Sequence, residues 1–270
     1  MTDNTEKRRV FRDLHVSGCF VIPNPWDVGS ARLLEGLGFR ALATTSSGVA
    51  WSLGRTDNHV PFAQALDRIH EIADSVRIPV NADFEAGFAI DADGVYKNVA
   101  AASATSLAGL SIEDSTGDAA NPLFDFSLAV DRIRAASRAI DENGEGVVLT
   151  GRSEGFIVGR PDLAETIRRL VAYAEAGADC LYAPGLRSIA DITAVVNAVA
   201  PKPVNVLVGS DFTTVADLAG VGVRRISVGG ALARAAFGSF LDAAREIAER
   251  GTFTRVTTAI PFGDLEKLLS

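Results

Sequence analysis

Eight short apolar runs, beginning near Phe20, Ala41, Val80, Leu110, Val147, Cys180, Val204 and Arg225, recur along the chain, and most of the gaps between them carry an amphipathic helical pattern. Strands alternating with helices in this way make βα units and a parallel sheet. Runs such as Ala41-Leu42-Ala43-Thr44-Thr45 and Val204-Asn205-Val206-Leu207-Val208 are apolar at nearly every position, as a sheet covered on both faces requires. Eight such units predict an α/β fold closed into a (β/α)8 TIM-type barrel. A doubly wound open sheet is the alternative, but the first strand leads into Pro23-Asn24-Pro25-Trp26 and not into a glycine-rich dinucleotide turn. The chain has 270 residues, against roughly 250 for a typical barrel. Residues 1–270 therefore read as one barrel domain, with 245–270 as a C-terminal helical arm.

Local grammar supports the division. Asp27 is placed to cap the first helix after a strand, Ala31, Leu33, Leu34 and Leu37 give it an apolar stripe, and Gly38 closes it. The same pattern recurs from Pro161 to Ala176, with Ile167, Leu170, Val171 and Ala174 as the stripe and Gly177 as the stop. Past Ala244 come a charged helix to Arg250, then Gly251-Thr252-Phe253, then an amphipathic piece from Asp264 to Leu269. This tail is either a cover for the barrel or an arm reaching a neighbouring subunit.

The charge balance narrows the partners. A formal charge of -8 with no Lys/Arg cluster argues against nucleic acid and against an anionic membrane surface. A small neutral or metal-bound substrate fits better. Cys19 and Cys180 lie in apolar strand-like runs and read as buried thiols in a reducing compartment. The start, Met1 to Arg12, is polar and charged, and no stretch approaches the roughly 18 apolar residues of a spanning helix. A cytoplasmic protein is the expectation.

Acidic residues end two successive strands, in Asp83-Phe84-Glu85 and Glu113-Asp114, and a third strand ends in Arg152. In barrels the C-terminal ends of the strands hold the active site. Carboxylates gathered there repel and raise one another's pKa values unless a cation joins them. Mg2+ takes oxygen ligands and keeps several waters, so one or two direct carboxylates suffice. His15, His59 and His70 are scattered and offer no zinc or iron cluster. Each position also has a plainer role: Asp83 and Glu113 as helix caps, Asp114 as a brace for the next loop, Arg152 as an ion-pair partner for Glu113 or Glu154. Thr44-Thr45-Ser46-Ser47-Gly48 can offer hydroxyl and backbone N–H donors to an anion or form an ordinary turn. Gly229-Gly230 is a weaker cradle of the same kind. On spacing alone Asp57 reads as a helix cap.

Together these segments resemble the isocitrate lyase/phosphoenolpyruvate mutase superfamily, from about Phe20 to Phe240. Asp83-Phe84-Glu85-Ala86-Gly87-Phe88 is similar to its Asp-Ala-Asp-Thr-Gly-Tyr metal motif, and Gly109-Leu110-Ser111-Ile112-Glu113-Asp114 to its strand-four Glu-Asp. Ser52-Leu53-Gly54-Arg55-Thr56-Asp57 follows its Ser-Leu-Gly-x-x-Asp, and Arg152 with Glu154 its Arg-x-Glu/Asp. The resemblance implies a Mg2+-dependent barrel (Mn2+ being the substitute) that positions a 2-oxo or 2-hydroxy acid and stabilises an enolate. It assigns Asp83, Glu85 and Glu113 to the metal and Arg152, Asp57 and Glu113 to catalysis. Thr45, Ser46, Ser47, Asn121 and Arg152 fall to substrate binding. It also implies a homo-oligomer, dimer or tetramer, with C-terminal helices exchanged between subunits.

Departures from the family pattern choose among reactions. The lyases' Lys-Lys-Cys-Gly-His loop after strand four is replaced by Ser115-Thr116-Gly117-Asp118-Ala119-Ala120-Asn121-Pro122-Leu123. The phosphonomutase lysine falls at Ala119, although Asn121 is kept. Glu85 is one methylene longer than the family's aspartate, and Ala183-Pro184-Gly185 replaces a glutamate or histidine after strand six. The sequence thus favours a carbon-carbon lyase or decarboxylase acting on a small 2-oxo or 2-hydroxy dicarboxylate, with Tyr182, Ser47 and Asp118 as candidate proton carriers. A carbon-phosphorus enzyme, mutase or phosphonopyruvate hydrolase, is the alternative, and a non-catalytic barrel the third.

Overall fold

In the computed structural model, which describes residues 3–143 and 146–270, eight parallel strands stand side by side. They are β1 (Phe20–Ile22), β2 (Leu42–Ala43), β3 (Val80–Asp83), β4 (Gly109–Glu113), β5 (Val148–Arg152), β6 (Cys180–Tyr182), β7 (Val204–Leu207) and β8 (Arg225–Ser227). Their order runs β1-β8-β7-β6-β5-β4-β3-β2. β2 is only two residues long, so the seam against β1 carries little ladder: Ala43 N donates to Pro23 O at 3.1 Å, and Asn24 Nδ2 to Thr44 O at 3.0 Å. These bonds draw the sheet into the (β/α)8 cylinder expected from the spacing.

The helices are α1 (Asn4–Val16), α2 (Val28–Gly36), α3 (Ser46–Ser52), α4 (Phe62–Ser75), α5 (Ala92–Ser103), α6 (Phe126–Asn143), α7 (Leu163–Glu175), α8 (Ile189–Val199), α9 (Val215–Gly220), α10 (Ala231–Arg250) and α11 (Phe262–Leu269). Asp27 caps α2 by accepting from Ser30 N. Gly38 and Gly177 follow their helices at φ 86° and 109°, a region glycine enters without a Cβ penalty.

Two elements differ from expectation. The polar start of the chain forms α1, whose Phe11 and Leu14 are buried under the N-terminal end of the barrel. Its charged residues are held too: Lys7 Nζ donates to Ala73 O and Val76 O, and Arg8 to Leu107 O and Ser103 O. At the other end α10 is continuous for 20 residues from Ala231 and not a separate helix from Ala244. Gly238, within it, meets no neighbouring atom within 4 Å, so nothing forces a break there. α11 folds back on its own α2, where Leu268 O would lie 3.6 Å from a Cβ on Gly36.

Candidate active site

Side chains alternate along a strand, so Asn81 and Asp83 face the barrel interior together, as do Ser111 with Glu113 and Thr150 with Arg152. Glu113 and Arg152 are register partners on β4 and β5. Arg152 Nη1 donates to Asp83 Oδ1 at 3.1 Å and lies 3.1 Å from Glu113 Oε2, while its Nε donates to Glu154. One guanidinium therefore ties three carboxylates at the mouth of the barrel. Burial works against the charge on Arg152, but Glu113, Glu154 and Asp83 more than compensate and hold it protonated.

The acids respond to the same crowding. Burial first, then Asp83 and Asp57, push Glu85 up to about 8. Asp57 is raised by burial and by Asp83. Glu113 is raised well above its ordinary value by burial, with Glu154, Asp83 and Glu85 adding and Arg152 opposing. Glu85 adopts φ 46°, a left-handed conformation that costs a non-glycine residue about 1 kcal/mol or more. Its carbonyl accepts from Glu113 N at 3.0 Å, which fixes one acid strand end against the other.

Opposite stands the hydroxyl segment. It is no ordinary turn: Thr45 caps α3, Thr45 Oγ1 lies 3.1 Å from Ser47 Oγ, and Ser46 N donates to Asp83 Oδ2 at 3.0 Å. A Cβ at Gly48 would stand 2.7 Å from Thr45 Cγ2 and 2.9 Å from Trp26 Cβ, so only glycine lets α3 start this close. Asp57 does not cap α4, whose cap position is Pro61; its carboxylate accepts from Asn58 N. The polar loop after α3 brings it instead to the central pocket.

That pocket, of about 160 Å3, is lined by Thr45, Ser46, Ser47, Asp57, Asp83 and Arg152 at its mouth. Glu113 lies behind Arg152 at 9 % exposure, and Glu85 opens with Asp83 onto a smaller adjoining cavity. Asn121 is exposed, borders a separate surface groove and donates to Asp118 Oδ2. Of the candidate proton carriers, Asp118 lies outside with it. Tyr182 lines the pocket beneath the Arg152 guanidinium, 5.2 Å from ring centre to Cζ, and burial pushes its phenol up to about 12.

Asp114 braces the site. Its Oδ1 accepts from Glu154 N at 2.7 Å, and its Oδ2 from Tyr173 Oη at 2.6 Å and Arg169 Nη1 at 3.1 Å. Sequence reasoning passed over Asn24, Asn81, Asn205 and Arg225, which also line the pocket. The available signal was polar residues at inward positions of otherwise apolar strands.

Among the described residues no three His, Cys, Asp or Glu side chains converge as a ready metal cage. The donor set nevertheless fits a hard, hydrated cation. Asp57, Asp83, Glu85, Glu113 and Glu154 face the single Arg152 charge electrostatically, and a divalent ion at Asp83 with retained waters would relieve the excess.

Comparison with known proteins gives the family. The family model for phosphoenolpyruvate phosphomutase matches residues 11–248. A Burkholderia cenocepacia protein assigned only as a lyase or mutase superposes with a TM-score of 0.95 at 44 % identity, covering 99 % of this chain and 96 % of its own. Oxaloacetate decarboxylase of Pseudomonas aeruginosa is 28 % identical over 94 % of this chain and 89 % of its own length. A phosphonopyruvate hydrolase, solved with oxalate and Mg2+, gives a TM-score of 0.85 at 26 % identity, over 99 % of this chain and 95 % of that one. The chain belongs to the phosphoenolpyruvate mutase family, within the isocitrate lyase/phosphoenolpyruvate mutase superfamily.

Proposed function

We propose that the protein is a Mg2+-dependent lyase or decarboxylase that cleaves a carbon-carbon bond of a small 2-oxo or 2-hydroxy dicarboxylate through an enolate. The observation that carries this is Arg152, held by three carboxylates at the pocket mouth facing the Thr45-Ser46-Ser47 donors. Kinship to oxaloacetate decarboxylase supports the carbon-carbon reaction.

Asp83, Glu85 and Glu113 would hold the ion directly or through water. Bound there, it would supply Lewis acidity toward negative charge developing on the 2-oxo oxygen. Arg152 donates to that same oxygen from a fixed position, so the enolate finds its partners already oriented. Thr45, Ser46 and Ser47 hold the adjacent carboxylate, and Asp57 orients the substrate head. From a 2-oxo diacid the distal carboxylate leaves as CO2 and the electron pair of the broken bond remains on the enolate carbon; from a 2-hydroxy diacid the hydroxyl proton passes to a base, the 2-oxo acid departs and the pair remains on the carbon of the other fragment. Tyr182, whose phenol burial keeps protonated, and Ser47 are the candidates in the pocket that could return a proton there.

Phosphonopyruvate hydrolase kinship supports a second reaction, cleavage of a carbon-phosphorus bond. It would need Asn121 to move inward from its surface groove. One assay separates the two: a metal-dependent screen of oxaloacetate, 2-alkylmalates, isocitrates and phosphonopyruvate, following pyruvate and phosphate. Pyruvate from a carbon diacid supports the lyase. Phosphate from phosphonopyruvate alone overturns it.

Among the described residues no helix is long and apolar enough to cross a membrane. Free thiols at Cys19 and Cys180 support a reducing, cytoplasmic setting for one barrel domain over 1–270. Exposed Phe253 and Phe262, with Phe240 just before them, support a homo-oligomer in which the 245–270 arm meets a neighbouring subunit.

A further inference from the structure

Two guanidiniums line the central pocket, and they differ in their company. Arg152 at the mouth has three carboxylates around it. Arg225, at the start of β8, is 3 % exposed and bonded to uncharged groups. Its Nε donates to Asn205 Oδ1 at 2.9 Å and its Nη2 to Thr150 Oγ1 at 3.0 Å. Its Nη1 lies 3.4 Å from His15 Nε2. His15 Nδ1 is 2.8 Å from Phe11 O, an acceptor only, so Nδ1 carries the hydrogen and Nε2 is the lone-pair nitrogen facing Arg225. No carboxylate among the described residues forms a salt bridge with this cation. A buried charge without a counter-charge is costly.

A second group in the same pocket lacks a partner. Asn81 Oδ1 is buried and accepts no hydrogen bond among the described residues. Its Nδ2 donates to Ala82 O at 3.0 Å, and its Oδ1 faces the β4 backbone, 2.8 Å from where a Cβ on Gly109 would stand, so Asn81 adds a polar but uncharged wall to the pocket.

The levels can be spaced. Thr150, which Arg225 contacts, precedes Arg152 by two residues on β5, so the two guanidinium layers are about 6–7 Å apart at ~3.3 Å per residue. A four-carbon diacid spans about 4–5 Å between its end carbons, at ~1.5 Å per bond, and a carboxylate carbon lies about 4 Å from a nitrogen donating to it, so the diacid reaches from the Arg152 level to Arg225 with its chain inclined to the barrel axis.

The geometry points to Arg225 as the subsite for the second carboxylate of the substrate, at the floor of the barrel. The 2-oxo or 2-hydroxy acid head occupies the Arg152 level, an orientation that rests on the function proposed above. Arg225 is then the residue that selects a diacid over the matching monoacid.

Malate and lactate of the same configuration share a 2-hydroxy acid head, and only malate has the second carboxylate. Calorimetric titration of the full chain in MgCl2 should show malate binding at least tenfold tighter than lactate, with oxalate as reference for the head site. Arg225→Gln should abolish most of the malate preference, Arg225→Lys should retain part of it, and oxalate should bind both variants as it binds the wild type. Equal affinity of the wild type for malate and lactate overturns the subsite, whether or not the variants fold. An unchanged ratio in a folded Arg225→Gln overturns it as well. Oxalate binding with no malate preference defeats the subsite alone; failure of oxalate to bind the wild type defeats the head site and the subsite with it.

Discussion

Arg152 has more carboxylate neighbours than one positive charge can satisfy, and chemistry at the mouth of the barrel starts from that imbalance. Arg152→Gln should lower kcat by about 10²–10³, the usual cost of losing one preorganised donor to developing charge. Arg152→Lys should recover little, since an ammonium cannot span Asp83, Glu113 and Glu154 as the planar fork does. Steady-state kinetics checks both. Glu85 gives a pH test. Its folded pKa, about 8 against an ordinary 4.5, means that the native state keeps a proton the unfolded chain releases between those values. The stabilisation is complete below about pH 4.5 and is lost as pH rises toward about 8; raised Glu113 and Asp57 act in the same sense. Thermal melts of metal-free protein should show a midpoint falling from about pH 5 to about pH 8, and Mg2+ with oxalate should restore it. A midpoint that rises over that range would contradict this electrostatic picture. At this scale the strand-end acids and Arg152 were legible in sequence because charged residues directly after apolar runs have few places to go. Asn81, Asn205 and Arg225 were not, because one inward polar residue in a two-sided strand looks like noise until the barrel closes around it.

Among the elements, α1 and the β4–β5–α7 corner do most to hold the site in place. α1 was hidden in the sequence: its charges hydrogen-bond backbone carbonyls under the barrel, and a polar composition concealed a helix that buries only two apolar side chains. Phe11, fully buried, stacks edge-on against His15 and Phe20 at 4.7 and 6.4 Å. Phe11→Ala should cost about 3–5 kcal/mol by the cavity it leaves, read by chemical denaturation. Asp114→Ala would strip Tyr173, Arg169 and the Glu154 backbone of their shared acceptor, and breaking a buried pair costs about 3–5 kcal/mol. Arg169 keeps Glu165 as a partner, so the lower end of that range is expected. Glu154 should then loosen its hold on Arg152, and kcat should fall more than stability alone explains. The α2 and α7 boundaries were readable because caps and stop glycines act locally. α10 was legible only from Ala244, although the Ala-, Leu-, Glu- and Arg-rich run from Ala231 carries the helix through Gly238 on propensity, with only Ala233 buried.

As a whole molecule the protein is a barrel that alternation alone made recognisable, closed by a short seam and extended by helices that do not pack fully on it. In α10 only Ala233 is buried, while Phe240 is 66 % exposed and Phe262, in α11, 80 %. Exposed aromatics of this size, in α10 just before the 245–270 arm and within the arm itself, mark an interaction surface. Light scattering should find a dimer or tetramer, and Phe240→Asp should shift it toward monomer; a wild-type monomer at micromolar concentration would contradict the arm's assignment. Reaction type was less legible than fold, because the loop 115–123 departs from the pattern the resemblance supplies and the polar residues lining the pocket floor are scattered over separate strands. The most direct test is calorimetric titration of Mg2+ into the protein with oxalate present. Saturable binding of one ion per subunit that Asp83→Ala abolishes is the result expected of a metal-dependent enolate site. Equal heats for wild type and Asp83→Ala, or no binding at all, would contradict it.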